Sequence, residues 1–557
     1  MTDININIYC VNLGRYVAVP GGSSLLDVSR SLADELGFEP ICARVNNKNE
    51  ALAFRLFQPK MVEFLSTAHP SGERAYIRSL CMVLYRAVSR VEPRAMLSIE
   101  HSISRGYYCR LGDNVECTPA LVERISAEMS RLIELDLPFV RHEALTSDVI
   151  PLFEAQGLYD KVQLLRTINE LYTTYYTLDG ICDSYYGTLA PRTGMLKVWQ
   201  LRPFKQGFLL VGFDHADPAF PPQHITQEKM YQAFTDYVKF NGIVGVRNVG
   251  QLNAMVESRR AADLVNVAEA LHEKALSRIS DEITRRYREG GARIVLIAGP
   301  SSSGKTTTTK RLGIQLMTNL LKPQLISLDN YFVDREHTPR DESGDYDYES
   351  LYSLDLEQFN RDLNDILAGK EVAMPTYNFE TGTRQYKGNT LRLEEGSILL
   401  IEGIHGLNPA LTAHIEEKMK FRVYVSALTT ITIDNHNWIP TTDNRLLRRI
   451  IRDYKYRGTS AVETIRRWPS VRRGEEKWIF PYQENADATF NSSLLYELGV
   501  MKEYAEPILK KVPHDVVEYA EAYRLLKFLS YFRPIDLRMI PSTSLLREFL
   551  GGSSFKY

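Results

Sequence analysis

Four groups of side chains in this sequence have types and spacings suited to phosphate chemistry. The first is Gly299-Pro300-Ser301-Ser302-Ser303-Gly304-Lys305-Thr306, followed by Thr307, which fits G-x-x-x-x-G-K-[ST]. A loop of that pattern turns its backbone N–H groups inward around phosphate oxygens at a helix N-terminus. Lys305 adds a point charge there, and the Thr306 hydroxyl suits a Mg2+ ion. The second group is Asp329, which follows the apolar run around Leu325 to Leu328. At the carboxyl edge of an open α/β sheet, a carboxylate can take the proton of an attacking hydroxyl. It can equally cap a turn. The third is Glu402, placed directly after four apolar residues, Ile398 to Ile401. Beside a phosphate loop, such a carboxylate suits Mg2+, directly or through a water. The fourth is an arginine series, Arg445, Arg448, Arg449 and Arg452, recurring at helical spacing. Guanidinium forks can hold the three oxygens over which a phosphoryl group in transfer spreads its charge. The bland alternative is a solvated basic face.

These groups need a particular framework. Ile294 to Ala298 predicts a buried parallel strand before the loop, and a helix follows with Leu312, Leu316 and Leu320 on one face. Leu325 to Leu328 predicts a second buried strand and SILLIEGIHGL, Ser397 to Leu407, a third. DLEQFNRDLNDILAGK reads as an amphipathic helix ending near Gly369. Between them lies the polar loop REHTPRDESGDYDYESLYSLD, with Arg335, Arg340, Asp345 and Asp347. Gly458 offers a flexible exit from the arginine helix, suited to a closing lid. A further strand follows Asp487, and LLREFLGGSSFKY reads as a terminal helix and tail without chemistry.

GPSSSGKTT, LDNYF, DYDY, MPTYNF with Arg384 close behind, LLIEGIHGL and NRLLRRIIRDYKYRG together resemble the uridine/cytidine kinase and phosphoribulokinase family over about residues 290 to 510. The resemblance implies ATP and Mg2+ as cosubstrate and metal, with Asp329 as general base. It implies that Asp347 touches the ribose of a nucleoside, that Tyr377 contacts the base, and that Arg384 helps shape the acceptor pocket. Arg449, Arg452 and Arg457 would neutralise the transferring phosphate. The sequence departs from the pyrimidine kinase pattern in three places: Gly382 stands where a histidine is usual, Thr459 replaces the last lid arginine, and TTITIDNHNWIPTTDN lengthens the link before the arginine helix. These departures leave the acceptor open between a pyrimidine nucleoside, another nucleoside and a sugar phosphate.

Residues 1–65 alternate apolar and polar positions around Ile6 and Ile8, with a helix start at Ser23-Ser24 and a hairpin turn at Asn46 to Asn49. This order is similar to the TGS domain, a ubiquitin-like β-grasp module of threonyl-tRNA synthetases. Residues 66–225 resemble the second additional domain of threonyl- and alanyl-tRNA synthetases, through Gly106-Tyr107-Tyr108 and the P-x-T-G-x-[IL]-K match at Pro191, Thr193, Gly194 and Lys197. Where that family has its H-x-x-x-H and C-x-x-x-H residues, this chain has Arg78 and Met82, then Tyr185 and Leu189. A zinc or hydrolytic site needs imidazoles, thiolates or carboxylates there, so the region is expected to lack editing chemistry. It would serve as an RNA- or ligand-binding surface, or as a regulatory or dimerising scaffold.

The expected organisation is therefore multidomain: a β-grasp module at 1–65, an α+β synthetase-like region at 66–225, a helical connector at 226–290 and a kinase with a mainly parallel sheet at 291–557. A length of 557 residues suits several domains. A formal net charge of −2 argues against a strongly electrostatic nucleic-acid binder. Six cysteines, all before residue 183 and none paired as C-x-x-C, fit a reduced cytoplasmic setting. No signal peptide or bilayer-spanning apolar run is apparent, so no membrane partner is expected. The favoured function is an ATP-dependent kinase acting on a small hydroxyl compound, most simply a nucleoside 5′-hydroxyl, as a possible homo-oligomer. The other classes are an ATP-gated RNA- or tRNA-binding protein and a kinase of a sugar phosphate.

Overall fold

The computed structural model describes residues 4–341 and 344–556. At the front, β1 (Asn5–Cys10), β2 (Arg15–Pro20), β3 (Cys42–Val45), β4 (Lys48–Glu50) and β5 (Met61–Leu65) form a sheet in the order β2-β1-β5-β3-β4. The β3–β4 hairpin turns through Asn46 and Asn47, at φ 47° and 59°. Asparagine tolerates that left-handed geometry well. Helix α1 (Leu25–Ser31) opens with the expected serine cap: Ser24 and Asp27 form a capping box.

The next region is built around α2 (Pro70–Val91), whose buried residues run almost all round it. It contacts α3 (Pro119–Glu134) and lies between two antiparallel sheets. One holds β6 (Ser98–Ile103), β7 (Gly106–Arg110), β11 (Gln200–Phe204) and β12 (Gly207–Val211). The other holds β8 (Val140–Leu145), β9 (Tyr172–Leu178) and β10 (Ile181–Asp183), with α4 (Tyr159–Thr167) packed nearby. The four positions aligned with the synthetase editing residues are packed. Met82, Tyr185 and Leu189 are core residues, and buried Arg78 donates to the Thr188 carbonyl at 3.1 Å. Among the described residues, no cluster of His, Cys, Asp and Glu could hold a metal ion.

The connector resolves into three helices, α5 (Glu228–Val244), α6 (Val249–Glu257) and α7 (Ala261–Arg288). The buried stripe of α7, Leu264, Val265, Ala268, Leu276, Ile279 and Ile283, joins the same core as Val295, Leu312 and Phe421. So α7 is a layer on the sheet that follows.

That sheet is wholly parallel, in the order β14-β17-β13-β18-β21. Its strands are β13 (Ile294–Ala298), β14 (Lys322–Ser327), β17 (Ser397–Glu402), β18 (Lys420–Ser426) and β21 (Ala488–Asn491). All five residues of β13 are fully buried, as a central parallel strand covered on both faces must be. Two expectations need correction. Leu325 is half exposed because β14 is an edge strand. Leu320 is 85% exposed because α8 (Lys305–Thr318) has already ended, and the chain turns there at φ 66°. Helix α9 (Leu356–Leu367) and the hairpin β15 (Val372–Asn378) and β16 (Thr383–Leu391) flank the edge, as the amphipathic run required.

The lengthened link is a short hairpin, β19 (Thr432–Asp434) and β20 (Asn437–Trp438), that leaves the sheet and docks on the front half. Lys161 on α4, almost fully buried, lies 2.9 Å from Asp183 and 2.8 Å from Asp434. Asp183 also receives Tyr185 Oη at 2.8 Å and pairs with His436 Nδ1 at 2.7 Å. Asn437 spans Asp434 and the Ser184 carbonyl. Every charge in this joint has an opposite partner or a hydrogen bond, the condition under which buried charges are tolerated. The chain then continues through α10 (Thr441–Tyr456), α11 (Ala461–Trp478), α12 (Glu497–Leu509), α13 (Tyr519–Ser530) and a final turn, α14 (Arg547–Leu550).

Candidate active site

The site forms where β13, β14 and β17 end together, as parallel strands of one sheet must end on one edge. The phosphate loop leaves β13, and α8 starts at Lys305 with Gly304 as its left-handed cap, at φ 84°. Gly299 is required by a close approach: a Cβ there would lie 2.0 Å from the Val425 carbonyl oxygen. Ser302 takes φ 58°, and Ser303 N–H donates to the Pro300 carbonyl. Lys305 Nζ donates to that carbonyl as well, at 3.2 Å, so its charge folds back over the loop.

Glu402 closes β17, and its two carboxylate oxygens each lie 3.2 Å from Thr306 Oγ1. Burial pushes the Glu402 carboxyl up to about 7, helped by the negative charges of Asp329 and Glu548 and opposed by Lys305. A hydroxyl and an acid oxygen aimed at one point make a donor set that fits a hard, oxygen-seeking cation such as Mg2+.

Asp329 stands two residues beyond β14's end in a short turn. It faces solvent within the cleft, but the protein around it desolvates the carboxyl and raises its pKa. Lys305, Arg457 and Arg452 pull the other way. It is thus an exposed carboxylate beside cations, and its side chain does not cap the turn.

The arginine series divides into two sets with different work. Arg445 and Arg448 face inward and are fully buried. Arg445 pairs with Glu475 and donates to the Ser301 carbonyl at 3.0 Å. Arg448 binds Glu497 and the Ser492 carbonyl, with the Ser302 carbonyl at 3.4 Å. Reading all four as phosphate ligands is therefore corrected for these two: their charge is already matched, and they hold the loop from behind. Glu475 also accepts from the Ser301 N–H at 3.1 Å, and burial alone would raise its pKa, but Arg445 and Arg472 hold it low. Arg449, Arg452 and Arg457 are less deeply buried and have other partners. Arg449 donates to Ser301 Oγ at 2.7 Å, and all three gather around buried Asp453 at 3.3, 2.9 and 3.5 Å. Three cations sharing one carboxylate keep a surplus of positive charge near the loop.

Of the expected acceptor residues, Tyr377 and Arg384 pair across the β15–β16 hairpin beside the turn that follows β14. The Tyr377 ring is buried, with Phe332 at 5.5 Å and Phe379 at 5.1 Å. Its backbone N–H donates to Asn330, the neighbour of Asp329. Arg384 is bound to Asp355 at 2.8 Å, so its charge is matched. Asp347 accepts from the Glu349 N–H at 3.2 Å. Gly382 adopts φ 71°, and a Cβ there would meet Arg335 at 2.8 Å. A larger residue at that position would displace the Arg335 side chain.

Three carboxylates were not singled out by the residue pattern. Glu349 points toward the loop, with burial and Glu475 driving its carboxyl up to about 7 while Arg449 and Lys305 oppose them. It can approach because position 474 is glycine; a Cβ there would lie 2.3 Å from Glu349 Cβ. Asp453 focuses the arginines. Glu548, in the supposedly inert C-terminus, binds Thr307. Of these, DYDYES and RRIIRD placed Glu349 and Asp453 inside the quoted motifs, while nothing near residue 548 signalled an active-site contact.

The sequence profile of the phosphoribulokinase/uridine kinase family matches residues 294–495. The uridine kinase of Staphylococcus aureus is 30% identical over 197 residues, 35% of this chain and 84% of that protein. The threonine–tRNA ligase of Desulforamulus reducens is 32% identical over 181 residues, 32% of this chain but only 28% of the ligase. This chain thus spans under a third of the ligases it matches. A solved structure of a possible uridine kinase from Bacillus stearothermophilus is 20% identical, covers 38% of this chain and 98% of its own, and superposes with a TM-score of 0.26.

Proposed function

We propose, on the premise that the chain belongs to the phosphoribulokinase/uridine kinase family, that it transfers the γ-phosphoryl group of ATP to a hydroxyl of a small acceptor, most simply a nucleoside 5′-hydroxyl. The observation that carries the reading is the convergence at one sheet edge: Thr306 and Glu402 within hydrogen-bond distance, with Asp329 at the end of the neighbouring strand.

In this reading the backbone N–H groups from Gly304 to Thr307, at the start of α8, receive the phosphates. Thr306 and Glu402 would hold Mg2+, which supplies charge stabilisation for the transferring group. Asp329 accepts the proton of the acceptor hydroxyl. The hydroxyl oxygen then bonds to the γ-phosphorus as the bond to the β,γ-bridging oxygen breaks, leaving ADP. Lys305 and Arg449, Arg452 and Arg457 balance the charge that spreads over the γ-oxygens. Tyr377 and Phe332 offer aromatic surface for a planar acceptor group, while Asp347 offers a carboxylate for a sugar hydroxyl. Those two features support a nucleoside as the acceptor.

The front half is read as a docked scaffold. Its match to part of a tRNA ligase supports RNA contact as the second candidate role. One experiment separates these readings: the purified protein is supplied with Mg-ATP and a panel of nucleosides and sugar phosphates, and ADP release is followed. Stimulation by nucleosides supports the proposal. Stimulation by a sugar phosphate alone changes the acceptor. No stimulation, with stable tRNA binding, replaces the enzyme reading with that of a nucleotide-gated binder.

A further inference from the structure

The last turn of the chain reaches into the phosphate cradle. Leu545, Leu546, Phe549 and Leu550, each at most 1% exposed, fix α14 in the core. Leu545 lies directly over the loop: a Cβ on Gly304 would meet Leu545 Cδ2 at 2.7 Å. From this platform Glu548 Oε2 accepts from the Thr307 N–H at 3.2 Å and from Thr307 Oγ1 at 2.6 Å. Thr307 is the third residue of α8. Its N–H belongs to the first turn of α8, where backbone donors can meet an anion, and α8 is the helix that the G-x-x-x-x-G-K-[ST] loop opens. A carboxylate thus already sits on a donor pair of the loop. Two anions cannot occupy the same pair.

We propose that Glu548 is an intrachain competitor for nucleotide: its carboxylate occupies part of the phosphate cradle in the nucleotide-free chain, and an incoming nucleoside triphosphate displaces it from Thr307. This rests on the reading of the loop as a nucleotide site. The displacement has a direct electrostatic sense. Glu548 is one of the negative charges acting on Glu402, so its departure removes a repulsion as the phosphates arrive. The turn is also tied to the arginine helix, because Lys455 Nζ on α10 donates to the Leu550 carbonyl at 2.5 Å. Moving α14 therefore disturbs a contact made by the helix that carries Arg449 and Arg452.

The test is calorimetric binding of a non-hydrolysable ATP analogue with Mg2+ to the full chain, to Glu548→Ala, to Glu548→Gln, and to Lys305→Ala as the empty-cradle control. Deletion of the tail is avoided because its four apolar side chains belong to the core. Glu548→Ala is expected to bind about tenfold more tightly, the scale of a charge-assisted hydrogen bond lost from the competing state. Glu548→Gln keeps an acceptor oxygen without the charge and is expected to fall between. In the wild-type chain, saturating analogue is expected to raise hydrogen exchange across residues 541–556. Affinity in Glu548→Ala that is unchanged or weaker overturns the proposal, as does unaltered exchange in the tail of the wild-type complex. If Glu548→Ala does not fold, the Gln variant and the exchange measurement decide. Absence of binding by both the wild-type chain and Glu548→Ala removes the nucleotide site itself, and the proposal with it, whereas equal tight binding removes only the competitor.

Discussion

Thr306 Oγ1 lies 3.2 Å from each carboxylate oxygen of Glu402, across the edge where β17 and α8 meet. That contact brings a neutral hydroxyl against an acid whose pKa burial has pushed up to about 7.

The first prediction concerns pH. Glu402 and Glu349 both have folded-state pKa values near 7, above the ordinary glutamate range. In the metal-free chain the native state binds more protons than the unfolded state between about pH 4.5 and 7. Stability from these groups is complete below that window and is lost as pH rises through 7. Thermal unfolding from pH 5 to 8 should therefore show a decline that flattens in Glu402→Gln and Glu349→Gln. Because a cation must displace the Glu402 proton, Mg2+ affinity should rise with pH up to about 7. A pH-independent affinity would exclude Glu402 as its ligand.

Asp329→Asn should leave ATP binding close to wild type and lower transfer to the acceptor by roughly 10²–10⁴, the range for loss of a general base. Single-turnover phosphoryl transfer with separately measured nucleotide affinity checks this. Near-wild-type turnover would remove Asp329 from the role of base.

The paired, buried arginines and the less buried ones of this helix should separate in experiment. Arg449→Ala is expected to reduce turnover strongly with little change in melting temperature. Arg445→Ala leaves Glu475 buried without its main partner and should destabilise the fold by about 3–5 kcal/mol. Denaturant unfolding alongside steady-state kinetics distinguishes them. Equal stability losses would contradict the division.

The joint between the halves is also testable. Asp183→Ala leaves Lys161 and His436 facing each other with one partner removed, and should cost about 3–5 kcal/mol. Chemical denaturation is expected to reveal earlier exposure of the 429–440 hairpin. Unchanged protection of that hairpin in hydrogen exchange would mean that the network is dispensable.

The sequence made the loop and its neighbouring carboxylates legible because local pattern and position coincide there: an apolar strand precedes the glycine loop, and Asp329 and Glu402 follow strands that end at the shared edge. The front β-grasp was readable for the same reason, since alternation and an Asn-Asn turn are short-range signals. The interior arginines were not distinguishable from Arg449 and Arg452, because all four share one helical face and the carboxylates that pair with two of them, Glu475 and Glu497, lie far along the chain. Leu325 and Leu320 failed similarly: an apolar residue type does not reveal an edge strand or where a helix stops. Contacts between distant residues, Glu548 with Thr307 and His436 with Asp183, leave no mark at either position.

Only Ile439 and Pro440 separate the docked β20 strand from the start of α10. The near end of the arginine helix is thereby clamped to the front half, while its far end runs out at Gly458 with φ 62°. Sixteen residues at 1.5 Å each make a rod of about 24 Å. Pivoting about the clamp, a tilt of about 5° moves the far end by about 2 Å, enough to make or break a hydrogen bond. Arg457 would travel furthest and Arg445 least. The clamp thus grades the motion along one helix, with steady support for the loop at its root and adjustable charge at its tip.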